Sequence, residues 1–419
     1  MKKKSAMRRT RRVLCVLLPI LVCSLAILLA VSLSLKNSRE PSVDNLAGTD
    51  APADEEGRAD GEMKEPSGGA ANEPKPGQAS MDGTANEQTP GQAPAEQAQQ
   101  KEPEPESEPV TLLFTGDVLL SDYVLANYDR DGIAGVLSPV LLDALTTADI
   151  TVVNNEFPFS TRGEQAPDKQ FTFRVNPDYV NILTDMGVDV AGIANNHVLD
   201  FGPDALLDTF DTLDAAGIDY MGAGVDLERA GALITKEVNG KTFGFLAASR
   251  VIPVVSWDIK NASPGVFTTY DPALLLAAIG QARAQCDFLS VFVHWGIERD
   301  EYPQDYQVTM AKQYIDAGAD LVVGAHPHVL QGIAYYQDKP VFYSLGNFIF
   351  NREIARTAVL KVTVPPEGTP VYQLIPASAQ NARTQADDGE KKQTTCDYLE
   401  SISEGISIDE NGVVSQETP

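Results

Sequence analysis

The chain has 419 residues, a formal net charge of −27, and only four His and four Cys. An acidic body of this kind repels phosphate backbones, which excludes nucleic acid as a partner. The charge is also uneven: residues 1–35 carry +7 without a single acid, residues 36–109 hold 17 acids against 6 bases, and the remainder carries −23.

In chain order, residues 1–12 form a basic tail with Lys2, Lys3, Lys4, Arg8, Arg9, Arg11 and Arg12. Residues 13–35 follow as 23 uncharged, mostly aliphatic positions, long enough to cross a bilayer as a helix. The run exceeds the apolar region of a cleaved leader, about 7–15 residues, so it reads as an uncleaved transmembrane signal anchor. Basic residues stay on the cytoplasmic side, which predicts a single-pass protein of the cell membrane with everything after Lys36 outside. Residues 36–109 are rich in Glu, Pro, Ala, Gly and Gln, with PGQA at 76–79 and again at 90–93 and EPEPESEP at 102–109. Such a composition buries no core and predicts a disordered acidic linker.

From Val110 the composition changes to short β-branched runs alternating with helical patterns, the signature of an α/β domain over residues 110–376. Strands are expected at 110–117, 149–155, 188–194, 218–221, 243–248, 287–293, 319–324 and 341–345. Helices are expected at Pro203–Ala216 and Pro272–Gln285, each opening on a proline suited to the first turn. VNGK at 238–241 and YYQDKPVFY at 335–343 read as hairpins, which implies mixed rather than purely parallel sheets. Residues 377–419 turn polar and lose periodicity, and are expected to form a disordered tail. Of the four cysteines only Cys286 and Cys396 fall in the exported part, where one bridge or two free thiols would both fit.

Polar motifs follow directly on the expected strands: TGD (115–117), NNE (154–156), ANNH (194–197), HWG (294–296), GAHPH (324–328) and SLGN (344–347). Carboxyl ends of strands in an α/β sheet line one edge, where ligands bind. All four histidines, His197, His294, His326 and His328, lie in these segments. With Asp117, Glu156 and Asn196 they make an oxygen and nitrogen donor set suited to Mn, Fe or Zn rather than to Ca or a thiolate site. His326 and His328 would face the same way if their segment were extended, although Pro327 interrupts it. Asp200 suits either a partner of His197 or the cap of the following helix, with the cap preferred. Trp257 and Trp295 read as packing residues, Trp295 also as a wall of the site, and Glu298 and Arg299 as solvated neighbours.

The motifs TGDVLL, NNEFPFS, ANNHVLDFG, VHWGIE, GAHPHVLQG and YSLGNFIF, in this order over residues 112–350, resemble the CapA-type poly-γ-glutamate capsule synthesis family. That family's domain is similar to the calcineurin-like metallophosphatases, so the resemblance implies an αββα sandwich with mixed sheets. It also implies that Asp117, Glu156, Asn196, His294, His326 and His328 are metal ligands, that Asp117 and His197 serve catalysis, and that His197 is the general acid for a leaving group. Two departures from the metallophosphatase pattern stand out: Leu119 occupies the place of a histidine, and Glu156 that of an aspartate. One or two divalent ions therefore fit the pattern. Asn195 and Asn347 are candidates for contacts to substrate or for orienting ligands, and each suits loop capping equally. Arg174 suits a substrate carboxylate or phosphate, with a surface salt bridge the preferred role.

The reading implied is a membrane-anchored, outward-facing protein with a metal-dependent hydrolase-like site, working on poly-γ-glutamate or a related anionic polymer beside a membrane synthase. A non-catalytic component that holds or exports the polymer is the alternative. A phosphodiesterase acting on cell-wall or lipid-linked phosphates follows from fold analogy alone.

Overall fold

The computed structural model describes residues 108–417. The basic tail, the signal anchor and nearly all of the linker expected over residues 1–109 lie outside the described residues. Among the described residues no helix is long and apolar enough to cross a membrane.

The chain first lays down four parallel strands, β1 (Val110–Val118), β2 (Ile150–Asn155), β3 (Val190–Gly192) and β4 (Asp219–Met221). A short β5 (Ala223–Gly224) leads into a second sheet built from β6 (Ile234–Val238) and β7 (Lys241–Ser249). After β8 (Gly265–Val266), which pairs with β5, that sheet continues with β9 (Phe288–His294), β10 (Leu321–Ala325), β11 (Ile333–Tyr336) and β12 (Lys339–Phe342). The chain then returns to the first sheet with β13 (Asn347–Ile349), β14 (Ile354–Val364), β15 (Val371–Gln380), β16 (Arg383–Ala386), β17 (Ile406–Ile408) and β18 (Val413–Gln416). Both expected hairpins form: Val238 pairs with Lys241 across the β6–β7 turn, and β11 pairs antiparallel with β12. Both sheets are mixed, because parallel central strands carry antiparallel strands at their flanks.

The seven residues of β9, FLSVFVH, are all buried, as a central parallel strand covered on both faces requires. Its neighbours β7 and β10 run parallel to it, and the register sets Ser249 and Ala325 beside His294. Inner faces of the two sheets share one core, in which the Phe114 and Phe245 rings lie 6.4 Å apart, as do those of Phe342 and Tyr372. Each buried phenylalanine there contributes about 1.5–3 kcal/mol. Helix Gly202–Ala216 buries Leu206, Phe210 and Leu213 and packs near β4. Helices Ala273–Ala282 and Asp305–Ala317 build a separate core around Leu275, Ile279, Met310 and Tyr314 with residues of β7, β9 and β10. Two stacked mixed sheets with helices packed against them agree with the expected α/β class.

The expected disordered tail is instead folded. β15 runs through the anticipated boundary at 376, helix Gly389–Ser401 buries Thr395, Cys396 and Leu399, and Ile406, Ile408 and Val414 join the shared core. The segment is mostly polar because each of its elements has only a narrow buried face, and it is stabilised by packing on β14 and β15 rather than by its own periodicity. A local signal was present in DENG at 409–412, where Asp409 accepts from the backbone N–H groups of Asn411 and Val413. Cys286 and Cys396 are both free and buried.

Candidate metal centre

Asp117 and Glu156 leave the carboxyl ends of β1 and β2, Asn196 and His197 follow β3, His294 ends β9, and His326 and His328 follow β10. The six motifs therefore converge on one edge, drawn from both sheets. Close backbone approach fixes the first of them: a Cβ on Gly116 would meet the Gly346 carbonyl at 1.8 Å, and Gly346 itself has φ +69°. Only glycine at 116 lets β1 reach the SLGN loop, where the Asp117 N–H donates to Gly346 O at 2.9 Å and Asp117 stands in register with Asn347.

The HPH segment is not extended. His326 has φ +96° and His328 φ +60°, a left-handed conformation that non-glycine residues adopt at a cost. It brings the His326 N–H to 3.3 Å from both Asp117 carboxylate oxygens, and sets the His326 and His328 rings 5.8 Å apart. His328 Nδ1 donates to Asn347 Oδ1 at 2.9 Å and lies 3.1 Å from Asp117 Oδ2. His294 Nε2 lies 2.8 Å from Asn196 Oδ1 and 3.3 Å from Glu156 Oε1.

Two buried ligand groups share one residue. Glu156, His294 and His326 place a ligand atom each within 4.8 Å of one another, and so do Asp117, Glu156 and His328. A third group, Glu298 with His326 and His328, opens to solvent, so Glu298 is nearer the centre than a solvated neighbour would be. Glu156 belongs to both buried groups. The donor chemistry fits a transition metal, and two of its atoms, Glu156 Oε2 and His326 Nδ1, are buried without a partner.

The electrostatics agree with that fit. Burial, reinforced by the adjacent Asp117 carboxylate, pushes the Glu156 pKa well above the usual carboxylate range. Burial holds the His294 imidazole well below its ordinary value and drives His326 down to about 3, each aided by the neighbouring His328 charge. At His328 burial acts downward too, but the carboxylates of Glu156 and Asp117 outweigh it and raise the pKa to about 10.

His197 sits beside the ligand set with its Nδ1 at 2.8 Å from Asp200 Oδ2 and its ring against Phe173, centroids 4.5 Å apart. Asp200 therefore orients the histidine. The cap preferred for it is corrected: Phe201 occupies the N-cap of helix Gly202–Ala216 and makes no side-chain bond there. The same Nδ1 lies 3.0 Å from Lys169 Nζ, so that nitrogen is engaged and Nε2 is the ring atom without a hydrogen-bond partner among the described residues. Burial lowers the His197 pKa although Asp200 acts to raise it.

Three expected site residues take other roles. Asn195 is fully buried, donating to Asn155 O at 2.8 Å and accepting from the His197 and Val198 N–H groups, so it shapes the ANNH turn. Arg174 donates to Arg162 O at 2.9 Å and lies over the Phe201 ring, and among the described residues it forms no salt bridge. Trp295 packs into the helix-side core with its Nε1–H on Tyr343 O, away from any wall of the site. Asn347 Oδ1 accepts a hydrogen bond from His328 Nδ1.

Two residues were missed. Asn154 Nδ2 donates to Asp117 Oδ1 at 2.8 Å and lies 3.3 Å from both Glu156 Oε1 and His294 Nδ1, tying the two sheets together. The period of two along β2 puts Asn154 and Glu156 on one side, a signal the NNE motif already carried. Lys169 donates through Nζ to Asn196 O and Asp200 Oδ1, and lies over the Trp257 ring. Burial lowers its pKa against the pull of Asp200. No periodicity marks a lysine in an irregular loop, so nothing in the sequence singled it out. Leu119, in the place of the absent histidine, is buried in the shared core.

Over residues 111–352 the chain matches the family described as "Bacterial capsule synthesis protein PGA_cap". It is 32% identical over 274 residues to the "PGA biosynthesis protein CapA" of Bacillus subtilis (strain 168), covering 64% of this chain and 71% of the relative. It is 31% identical over 291 residues to the "Capsule biosynthesis protein CapA" of Bacillus anthracis, covering 66% and 69%. A solved structure of a hypothetical protein from Thermus thermophilus aligns with 64% of this chain and 98% of its own at 16% identity and a TM-score of 0.40, too loose a likeness to argue from.

Proposed function

We propose what this site does from one premise: the chain belongs to the bacterial capsule synthesis protein family PGA_cap. It acts in poly-γ-glutamate assembly as a membrane-anchored, outward-facing protein with a metal-dependent hydrolase-like site, working beside a membrane synthase. The observation that carries the catalytic reading is the pair of unpartnered buried atoms, Glu156 Oε2 and His326 Nδ1, each in a ligand group. Left unpaired, such groups cost about 1–3 kcal/mol each, and a cation between them removes that cost. Asp117, Glu156 and His328 would hold one Mn, Fe or Zn ion, and Glu156, Asn196, His294 and His326 a second. When bound, the metal supplies a Lewis acid and an activated water for attack on a carbonyl or phosphoryl centre. His197, anchored at Nδ1, carries the proton for the leaving group at Nε2, and Lys169 and Asp200 hold it there.

The non-catalytic alternative is favoured by Leu119, which removes one imidazole from the Asp117 side. Metal analysis of the purified chain, paired with cleavage of γ-linked glutamyl polymer with and without added Mn, tests the two. The catalytic reading expects metal in the wild type, and a His197→Ala variant that keeps the metal while cleavage falls about 100-fold or more. A chain that loads metal and binds polymer but leaves it uncut overturns that reading in favour of a polymer holder.

A further inference from the structure

Beside the metal centre lies a second hollow of about 170 Å³. His328 and Asn347 line it and belong also to the centre, so the two are contiguous. Its other polar lining is Glu301, Glu353, Arg356 and Tyr398. Arg356 lies over the Tyr398 ring, 4.0 Å from its centroid, and among the described residues no carboxylate pairs with its guanidinium. Burial and the adjacent Glu301 carboxylate push the Tyr398 hydroxyl pKa up, so the ring stays neutral under its cation. The hollow thus presents a stacked cation and two carboxylates; Glu301 accepts from the Tyr398 hydroxyl and Glu353 from the Asn381 N–H, but among the described residues neither is paired with a cation. Arg356 and Tyr398 stand on β14 and on helix Gly389–Ser401, both beyond the residues that match the family.

A ligand that suits this wall must itself carry both charges on adjacent atoms. In a γ-linked glutamyl chain every residue has a free α-carboxylate, but only the amino-terminal residue has an α-ammonium on the same carbon. Interior residues are purely anionic there, and Glu301 and Glu353 would repel them. We propose that the hollow binds the free amino-terminal residue of a γ-linked glutamyl chain, its α-carboxylate on Arg356 and its α-ammonium on Glu301 and Glu353. The assignment rests on the reading that this site acts on poly-γ-glutamate. It makes the protein an end-reader: with the terminal residue seated, hydrolysis adds water across the first γ-amide. The hydroxyl goes to the γ-carbonyl carbon and the proton to the departing nitrogen, releasing one glutamate from a chain shorter by one.

The test is calorimetric titration of the full chain with γ-glutamylglutamate, its N-acetyl form and its amino-terminal α-carboxamide form, each after chelator treatment and again with Mn. The wild type binds the free dipeptide, and either modification weakens it about tenfold or more. Arg356→Gln, at an exposed position, removes the preference over the α-carboxamide form, and the double variant Glu301→Gln, Glu353→Gln removes the preference over the N-acetyl form. Metal uptake is unchanged in these variants. A wild type that binds none of the three, or Arg356→Gln binding like wild type, overturns the proposal. Arg356-dependent binding in a chain that takes up no metal supports the hollow and overturns the hydrolase reading, so the two fail separately.

Discussion

The two sheets contribute different chemistry to the same centre. Ends of the first sheet, at β1, β2, β3 and β13, bring oxygen through Asp117, Glu156, Asn196 and Asn347, whereas ends of the second, at β9 and β10, bring nitrogen through His294, His326 and His328. On the oxygen side burial and Asp117 disfavour a charge on Glu156, and on the nitrogen side burial and a neighbouring cation keep two imidazoles neutral. Each half carries a buried atom without a partner, Glu156 Oε2 on one side and His326 Nδ1 on the other. The centre is therefore a property of the sheet packing, held by Asn154 and by the Asn196–His294 contact across the gap.

Removing the shared member should break the comparison most completely. Glu156→Ala takes a ligand from both buried groups, and metal affinity, followed by competition with a colorimetric chelator, should fall about 100-fold or more. The same variant without metal should melt no lower than the metal-free wild type, because it removes a carboxyl that burial and Asp117 force to stay protonated. Retained wild-type metal affinity would show that the two groups do not share a bridge.

Proton displacement sharpens the comparison. Without metal, Glu156 and His328 both hold protons in the fold at pH values where they would be free in the unfolded chain. A raised pKa stabilises the fold below the unfolded value, and that contribution is lost as pH rises toward the folded value, which for His328 is about 10. Metal must expel these protons, so its affinity should rise about tenfold per pH unit for each proton displaced, between about pH 7 and about pH 9. Thermal melts with chelator and with Mn should accordingly diverge as pH increases, and parallel curves would contradict the assigned protonation.

The smallest effect lies outside both ligand groups. Lys169→Met keeps bulk against Trp257 but loses the bonds to Asp200 and the Asn196 carbonyl. Metal content should be unchanged while turnover falls about tenfold and the alkaline and acid limbs of its pH profile shift, since His197 is less firmly placed. An unaltered profile would leave Lys169 a purely structural residue.

Much of this centre was legible in the chain. Four histidines in the whole protein, all at the ends of apolar runs, already marked one edge of an α/β domain, and TGD, NNE and GAHPH contain most of the donors that gather there. Asn154 was readable from strand alternation, because it shares a side with Glu156. Lys169 was not, since a loop residue gains its role from whatever the loop meets. Asn195 and Arg174 show the converse: their residue types suit substrate, but the contacts the fold gives them are to local backbone carbonyls. The C-terminal segment was misjudged because its buried residues are few and irregularly spaced, and its order comes from β14 and β15.

Sequence alone determined the elements and the donor types, because hydrophobic runs and strand-end motifs are local quantities. Tertiary structure decided which donors face one another across two sheets, that Glu156 is shared, that Asp200 serves His197 rather than a helix, and that Arg356 meets Tyr398 beside the centre. Those facts depend on distances between residues far apart in the chain, which only the packing of the two sheets and the return of the C-terminal helix set.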